Sequence, residues 1–359
     1  MKRIVNLGAF LILLVSFVMP AAIATASSGS QTYTVLVGAE DVSRGISLMS
    51  FFPSTLRIHV GDKVVWTANS HEIHTVTFLA NDPMPDLLIP APTGFPTGTL
   101  MINPNVAFPV APANLVYDGS YTNSGILSTD PPQLTQFSLT FNTLGTFSYV
   151  CIVHGMMMSG EIQVVPDSVI VPSPDAVSRW AHRTANRQVK KANGLFGPAE
   201  SQVPPPVHNS DGTTTHTVVM GYSKGNAMLM DFFPRKLVVH PGDKVNFVLG
   251  KNNDAPHTVT FLNGQPDIEF VTPTPNPNFP PQQPPVLLLL NPQVLMPINP
   301  GIPLDRSKVY SSGLLAPGGP GPSNYEFTIG NISGNISYEC LLHDSSGMVG
   351  VLKVVPVNK

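Results

Sequence analysis

Cysteine is nearly absent from this chain. Among 359 residues there are two, Cys151 and Cys340, so a disulfide-built scaffold is excluded. Charge is scarce as well. Asp, Glu, Lys and Arg make up 11% of residues and the formal net charge is −3, which gives no reason to expect nucleic acid or another polyanion as a partner. Past residue 26 no apolar run approaches the roughly 20 residues that span a bilayer. Hydrophobic residues still account for 42% of the chain, enough for packed cores, and its length leaves room for two domains. Proline is abundant, 38 in all, about twice the usual share of roughly 5%. That abundance argues against long helices and for a loop-rich, all-β chain.

The amino terminus reads as an export signal over residues 1–26. Lys2 and Arg3 give a basic start, Ile4 to Val18 an apolar stretch, and Ala24-Thr25-Ala26 a small-residue cleavage site. Pro20 interrupts the apolar run, and no Cys follows Ala26 to take a lipid. The expectation is a soluble mature protein, periplasmic or extracellular.

The chain repeats itself. Phe51-Phe52-Pro53 returns as Phe232-Phe233-Pro234 and Gly61-Asp62-Lys63-Val64 as Gly242-Asp243-Lys244-Val245, both at an offset of 181. A His-Thr-Val-Thr-Phe-Leu segment begins at His74 and again at His257. Asn103-Pro104 and Asn291-Pro292 each precede a Pro-rich stretch and then a Ser-Gly-(Ile/Leu)-Leu segment. Periodicity within each copy is that of strands. Leu56, Ile58 and Val60 alternate with polar residues up to the Gly61-Asp62 turn, and Phe147, Tyr149 and Cys151 share one face of a later strand, as do Ile336, Tyr338 and Cys340. Short strands punctuated by turns suggest a β-sandwich in each copy. The expected organisation is a domain over 27–166, a linker over 167–211 and a second domain over 212–359. In the linker, Ser173-Pro174-Asp175 is a helix start. Ala176 to Asn193 reads as a helix carrying Arg179, Arg183, Arg187, Lys190 and Lys191, a basic face that is solvated or else docks an acidic partner or an anionic membrane surface, the solvated reading being favoured.

Near the end of each copy sits one cluster: Cys151, His154 and Met158, then Cys340, His343 and Met348. With His74 and His257 upstream, each copy offers a thiolate, two imidazoles and a thioether. That is the ligand set of a mononuclear blue-copper site, in which sulfur holds Cu(I), imidazole suits both oxidation states and a weak axial Met tunes the potential. The spacing puts Cys at a strand end, His on the loop that follows and Met where the chain enters the next strand, so that all three lie on one loop. The upstream His comes from a neighbouring strand, so the pocket is shaped by the fold.

On these residues both halves resemble the cupredoxins, the family of plastocyanin, amicyanin and azurin. The resemblance implies two tandem Greek-key β-sandwiches, joined by a linker with a short helix. It implies one copper per half, ligated by His257, Cys340, His343 and Met348 in the second and by His74, Cys151 and His154 in the first. The first half departs at the axial position, where Met156, Met157 and Met158 follow Gly155; Met158 is favoured because it precedes Ser159-Gly160 as Met348 precedes Val349-Gly350. Asn252 matches a family Asn that braces the Cys loop, and Asn69 is its counterpart. By the same resemblance electrons pass through partly exposed rings of His154 and His343, set among Val153, Gly155 and Leu342. Of the other histidines, His71 is at best an outer neighbour of the site, His59 and His240 are surface or packing residues, and His182, His208 and His216 lack a clustered partner.

The function so implied is an exported electron carrier, passing single electrons between soluble or membrane-bound redox partners, with no small-molecule substrate. Copper oxidases and nitrite reductases place His beside the type 1 Cys. Here the neighbours are Val150, Ile152, Glu339 and Leu341, and no His-x-His pair occurs in the chain, so an enzyme is not expected. Copper buffering or delivery would use the same ligands, with Met156 to Met158 helping to capture Cu(I). Ligands on turns tied to core strands favour the carrier.

Overall fold

The computed structural model describes residues 29–277, 284–318 and 323–356; the export signal read at 1–26 lies outside them. The described residues are all-β in architecture, with helix confined to the segment between the halves and to single turns elsewhere. The first half runs through β1 (Thr32–Asp41), β2 (Ile46–Phe52), β3 (Thr55–His59), β4 (Lys63–Ala68), β5 (Thr77–Phe78) and β6 (Leu100–Ile102). It closes with β7 (Gln136–Phe141), β8 (Gly145–Cys151) and β9 (Gly155–Val165), and α1 (Pro174–Ala192) follows. The second half repeats the order as β10 (Thr214–Lys224), β11 (Ala227–Phe233), β12 (Lys236–Val239), β13 (Lys244–Leu249) and β14 (Thr260–Phe261). It ends with β15 (Val286–Leu290), β16 (Asn324–Thr328), β17 (Gly334–Glu339) and β18 (Val349–Val354).

Equivalent strands pair equivalently. β1 runs parallel to β4 and β3 to β9, as β10 does to β13 and β12 to β18. Alternating side chains fill the space between two sheets in each half, with Trp66 edge-on to Tyr149 (centroids 5.4 Å) in one and Phe247 edge-on to Tyr338 (5.1 Å) in the other. Each Gly-Asp turn is tied down by its carboxylate. Asp62 accepts from the N–H groups of Gln31 and His59 at 2.7 and 2.8 Å, and Asp243 from those of Thr214 and His240, both at 2.8 Å. Val60 breaks the expected alternation and is 43% exposed, because β3 ends at His59 and the chain turns away through Gly61 at φ +89°.

The halves are joined on two sides. β2 and β11, counterparts in the repeat, pair antiparallel with Leu48 opposite Ala227 and Ile46 opposite Leu229, fusing one sheet from each half into a ten-stranded sheet. α1 lies across the back of this seam. It starts at the Ser173 cap and buries Ala181, Ala185 and Val189 among Leu36, Ile46 and Phe52 of one half and Val219, Leu229 and Phe233 of the other. Its basic residues are exposed. The second joint is made by the Pro-rich insertions. β6 and β15 meet at Met101 and Leu289 in a four-stranded sheet drawn from both halves. The repeated Asn-Pro pairs open single helical turns beside it, where Asn103 and Asn291 side chains accept from the N–H groups of Asn105 and Gln293 at 3.1 and 3.0 Å.

Candidate metal centres

β5 pairs with β8 at Thr77 and Val150, which sets the chain just before β5 against the strand end that carries Cys151. His74 is brought there, fixed by paired backbone hydrogen bonds with Leu127 (2.9 and 2.8 Å); His257 is fixed in the same way by Leu315 (both 2.8 Å). This gives the repeated Ser-Gly-(Ile/Leu)-Leu segment a purpose that its sequence alone did not disclose. In each half one sulfur and two ring nitrogens converge. Cys151 Sγ lies 3.9 Å from His74 Nδ1 and 3.4 Å from His154 Nδ1. Cys340 Sγ lies 3.8 Å from His257 Nδ1 and 3.4 Å from His343 Nδ1, and those two nitrogens are 3.2 Å apart. Both cysteines are buried free thiols.

These spacings suit a single ion in each half. Bonds of roughly 2.0 Å to nitrogen and 2.3 Å to sulfur around one centre place neighbouring ligand atoms about 3.3–3.7 Å apart. Burial pushes both thiols up to about 11, and lowers His154 to about 4 and His343 to about 3. His74 and His257 are held well below the usual imidazole range, first by burial and then by the neighbouring ring. The rings are thus neutral and able to ligate, and a cation binds by displacing the thiol proton.

Outer contacts hold the ligands in this orientation. Asn253 donates its amide to Ala255 O at 2.6 Å, which aims Oδ1 at His257 Nε2, 3.1 Å away, and leaves Nδ1 free to face the sulfur. Ser70 Oγ does the same for His74 Nε2 at 3.1 Å. Gly38 and Gly221 make room. Each sits at positive φ (+74° and +68°), and a Cβ there would come within 2.6 Å of His74 Nε2 or 2.4 Å of His257 Nε2. Asn69 and Asn252 are not the braces expected of them. The Asn69 amide donates to Gly38 O at 3.0 Å, and Asn252 is exposed. The Cys loops are held instead by Thr75 and Thr258, whose hydroxyls accept from the N–H groups of Ile152 and Leu341, both at 2.9 Å. Their N–H groups point at the two sulfurs at 3.4 Å. The doubled His-Thr pair was the signal for this brace.

The methionines divide by burial. Met158 and Met348 are fully buried, whereas Met156 is 68% and Met157 39% exposed. Met158 belongs to β9, not to a loop as expected; β9 starts immediately after His154, with Gly155 opposite Cys151. In the second half a turn spans residues 341–347 before Met348 and β18.

The partly exposed His154 and His343 rings expected at the surface lie at the junction between the halves. Their side chains are only 10% and 5% exposed. Between them sits Glu72, 8% exposed, with Oε1 3.8 Å from His154 Nε2 and Oε2 3.7 Å from His343 Nε2. Oε2 is buried without a hydrogen-bond partner. Burial, reinforced by the charge of Glu40, pushes the Glu72 carboxyl up to about 8; a cation across either imidazole opposes that shift. Sequence reasoning passed over Glu72. The signal was its counterpart in the repeat, Ala255. Of the remaining histidines, His59 meets Val169 O at 2.8 Å, His71 meets Glu40 at 2.5 Å and His216 meets Asp243 at 3.4 Å.

No family model and no curated protein matches the chain. Solved structures similar to it include amicyanins. An oxidized variant is 17% identical over 37% of this chain and 81% of its own, at a TM-score of 0.22. A Cu(I) variant is 18% identical over 40% of this chain and 88% of its own, at 0.23. Likeness this slight carries no argument about function.

Proposed function

We propose that this chain is an exported copper protein that transfers single electrons, with one type 1 copper in each half. Copper would be held by His74, Cys151, His154 and Met158, and by His257, Cys340, His343 and Met348. The observation behind this reading is the doubled, buried Cys–His–His cluster with a buried Met beside each Cys strand. Bound there, copper supplies a one-electron couple; the chain's part is to keep water out and the ligands still. Ligands fixed by Leu127, Leu315, Thr75 and Thr258 resist rearrangement between oxidation states, which suits electron transfer better than release. With no His beside either Cys, the chain offers no relay to a second class of copper, so we read a carrier and not an oxidase or nitrite reductase. Among the described residues no helix is long and apolar enough to cross a membrane.

Copper buffering or delivery is the second reading, and one observation favours it: Met156 and Met157 expose their thioethers beside the first centre. Copper quantitation with a visible spectrum separates the two. A carrier gives an intense thiolate-to-copper band, of which Cys151→Ser and Cys340→Ser each remove one part. A colourless copper-loaded protein would overturn the carrier in favour of the reservoir.

A further inference from the structure

We infer that Glu72 joins the two metal centres into one electronic unit, so that an electron received at either is shared with the other inside the molecule. This rests on the copper reading above and goes beyond it. Three observations carry it. The two loop imidazoles, one from each half, turn their Nδ1 atoms toward the cysteine sulfurs and their Nε2 atoms toward the same carboxylate. The carboxylate is placed almost evenly, 3.8 Å from one ring and 3.7 Å from the other, and Oε2 has no hydrogen-bond partner to hold it for another purpose. The repeat puts Ala255 where a second copy of Glu72 would stand, so a single acid serves both sites.

With Nδ1 given to a metal, each ring carries its proton on Nε2 and offers it to Glu72. At 3.8 and 3.7 Å both contacts are longer than a hydrogen bond; a shift of less than about 1 Å brings either within range. His154, Glu72 and His343 then form a continuous polar path, largely shut off from water, between the two centres. Passage of one electron along it oxidises one centre and reduces the other; no bond breaks and no proton leaves the path. The carboxylate also sets both centres. When ionised, the carboxyl puts a negative charge equally near two cations and favours the higher oxidation state of each, so its removal raises both potentials together.

The test uses the full copper-loaded chain with Glu72→Gln and Glu72→Asp, each also placed in Cys340→Ser and Cys151→Ser so that one centre is read at a time. Glu72→Gln is expected to shift the midpoint potential upward in both single-centre backgrounds, although the residue belongs to the first half alone. In the two-centre protein, rapid partial reduction is expected to be followed by a concentration-independent redistribution of colour between the bands. Glu72→Gln removes its fast phase. Glu72→Asp keeps the charge but withdraws it by one methylene, so the potentials stay near those of the parent while redistribution slows. A shift confined to the first centre, or redistribution untouched by both variants, overturns the bridge and leaves the copper reading standing. Absence of the thiolate-to-copper band from the parent protein overturns both.

Discussion

The two halves bring the same three candidate ligands together at nearly the same distances and surround them differently. In the first, the chain passes from His154 directly into β9, Ser70 supports the upstream ring, and two exposed methionines flank the buried one. In the second, a turn over 341–347 separates His343 from Met348, and the Asn253 amide replaces the hydroxyl. What is constant is what the chemistry needs: a buried sulfur, two aimed nitrogens, and a glycine that lets the upstream ring come close to the sheet. What varies is the segment between the loop His and the buried Met, a strand start in one half and a turn in the other. Duplication has kept the ligand cage and let its approaches diverge.

The glycines are the place to break the equivalence. Gly38→Ala and Gly221→Ala each force a Cβ into the ring nitrogen and its partner, on a backbone that costs an L residue about 1–2 kcal/mol in addition. Each is expected to abolish copper binding in its own half and spare the other, halving the metal content measured by copper analysis. The buried methionines come next. Met158→Ala and Met348→Ala leave cavities and are expected to cost about 2–5 kcal/mol in denaturant unfolding, with a changed visible band. Met156→Ala stays within about 0.5 kcal/mol and leaves the band alone; a band that moves with Met156 would reassign the axial ligand. The smallest effect sharpens the comparison of supports. Ser70→Ala and Asn253→Ala are expected to weaken copper in their own halves by roughly 10–100-fold, and Asn253→Ala more. The Asn253 amide is locked by Ala255 O, whereas a serine hydroxyl is free to rotate and a water can stand in for it.

Much of this was legible in the sequence because it is local or repeated. The Cys-x-x-His clusters, the Ser173 helix start, and the alternation ending at Tyr149-Val150-Cys151 and Tyr338-Glu339-Cys340 are short-range patterns that the fold obeys. What escaped was long-range. Thr75 reaches Ile152 and Thr258 reaches Leu341 only once β5 and β14 lie beside the Cys strands. The burial of His154 and His343 follows from the meeting of the two halves around Glu72, which no pattern within either half announces. Asn252 misled because it stands one residue before the buried Asn253, and a one-residue step decides which side chain faces the ring.

The seam has a consequence for how such a molecule is inherited. Its two lobes do not touch as finished surfaces; they interleave hydrogen bonds along β2 and β11, and again where Met101 meets Leu289. A chain severed near α1 would present a raw strand bearing Leu48 and Ile46 to the solvent, a sticky template for any passing strand. Ala227 is the counterpart of Ile46 and Leu229 that of Leu48, so the seam is two-fold symmetric, the geometry in which one edge strand pairs with a copy of itself.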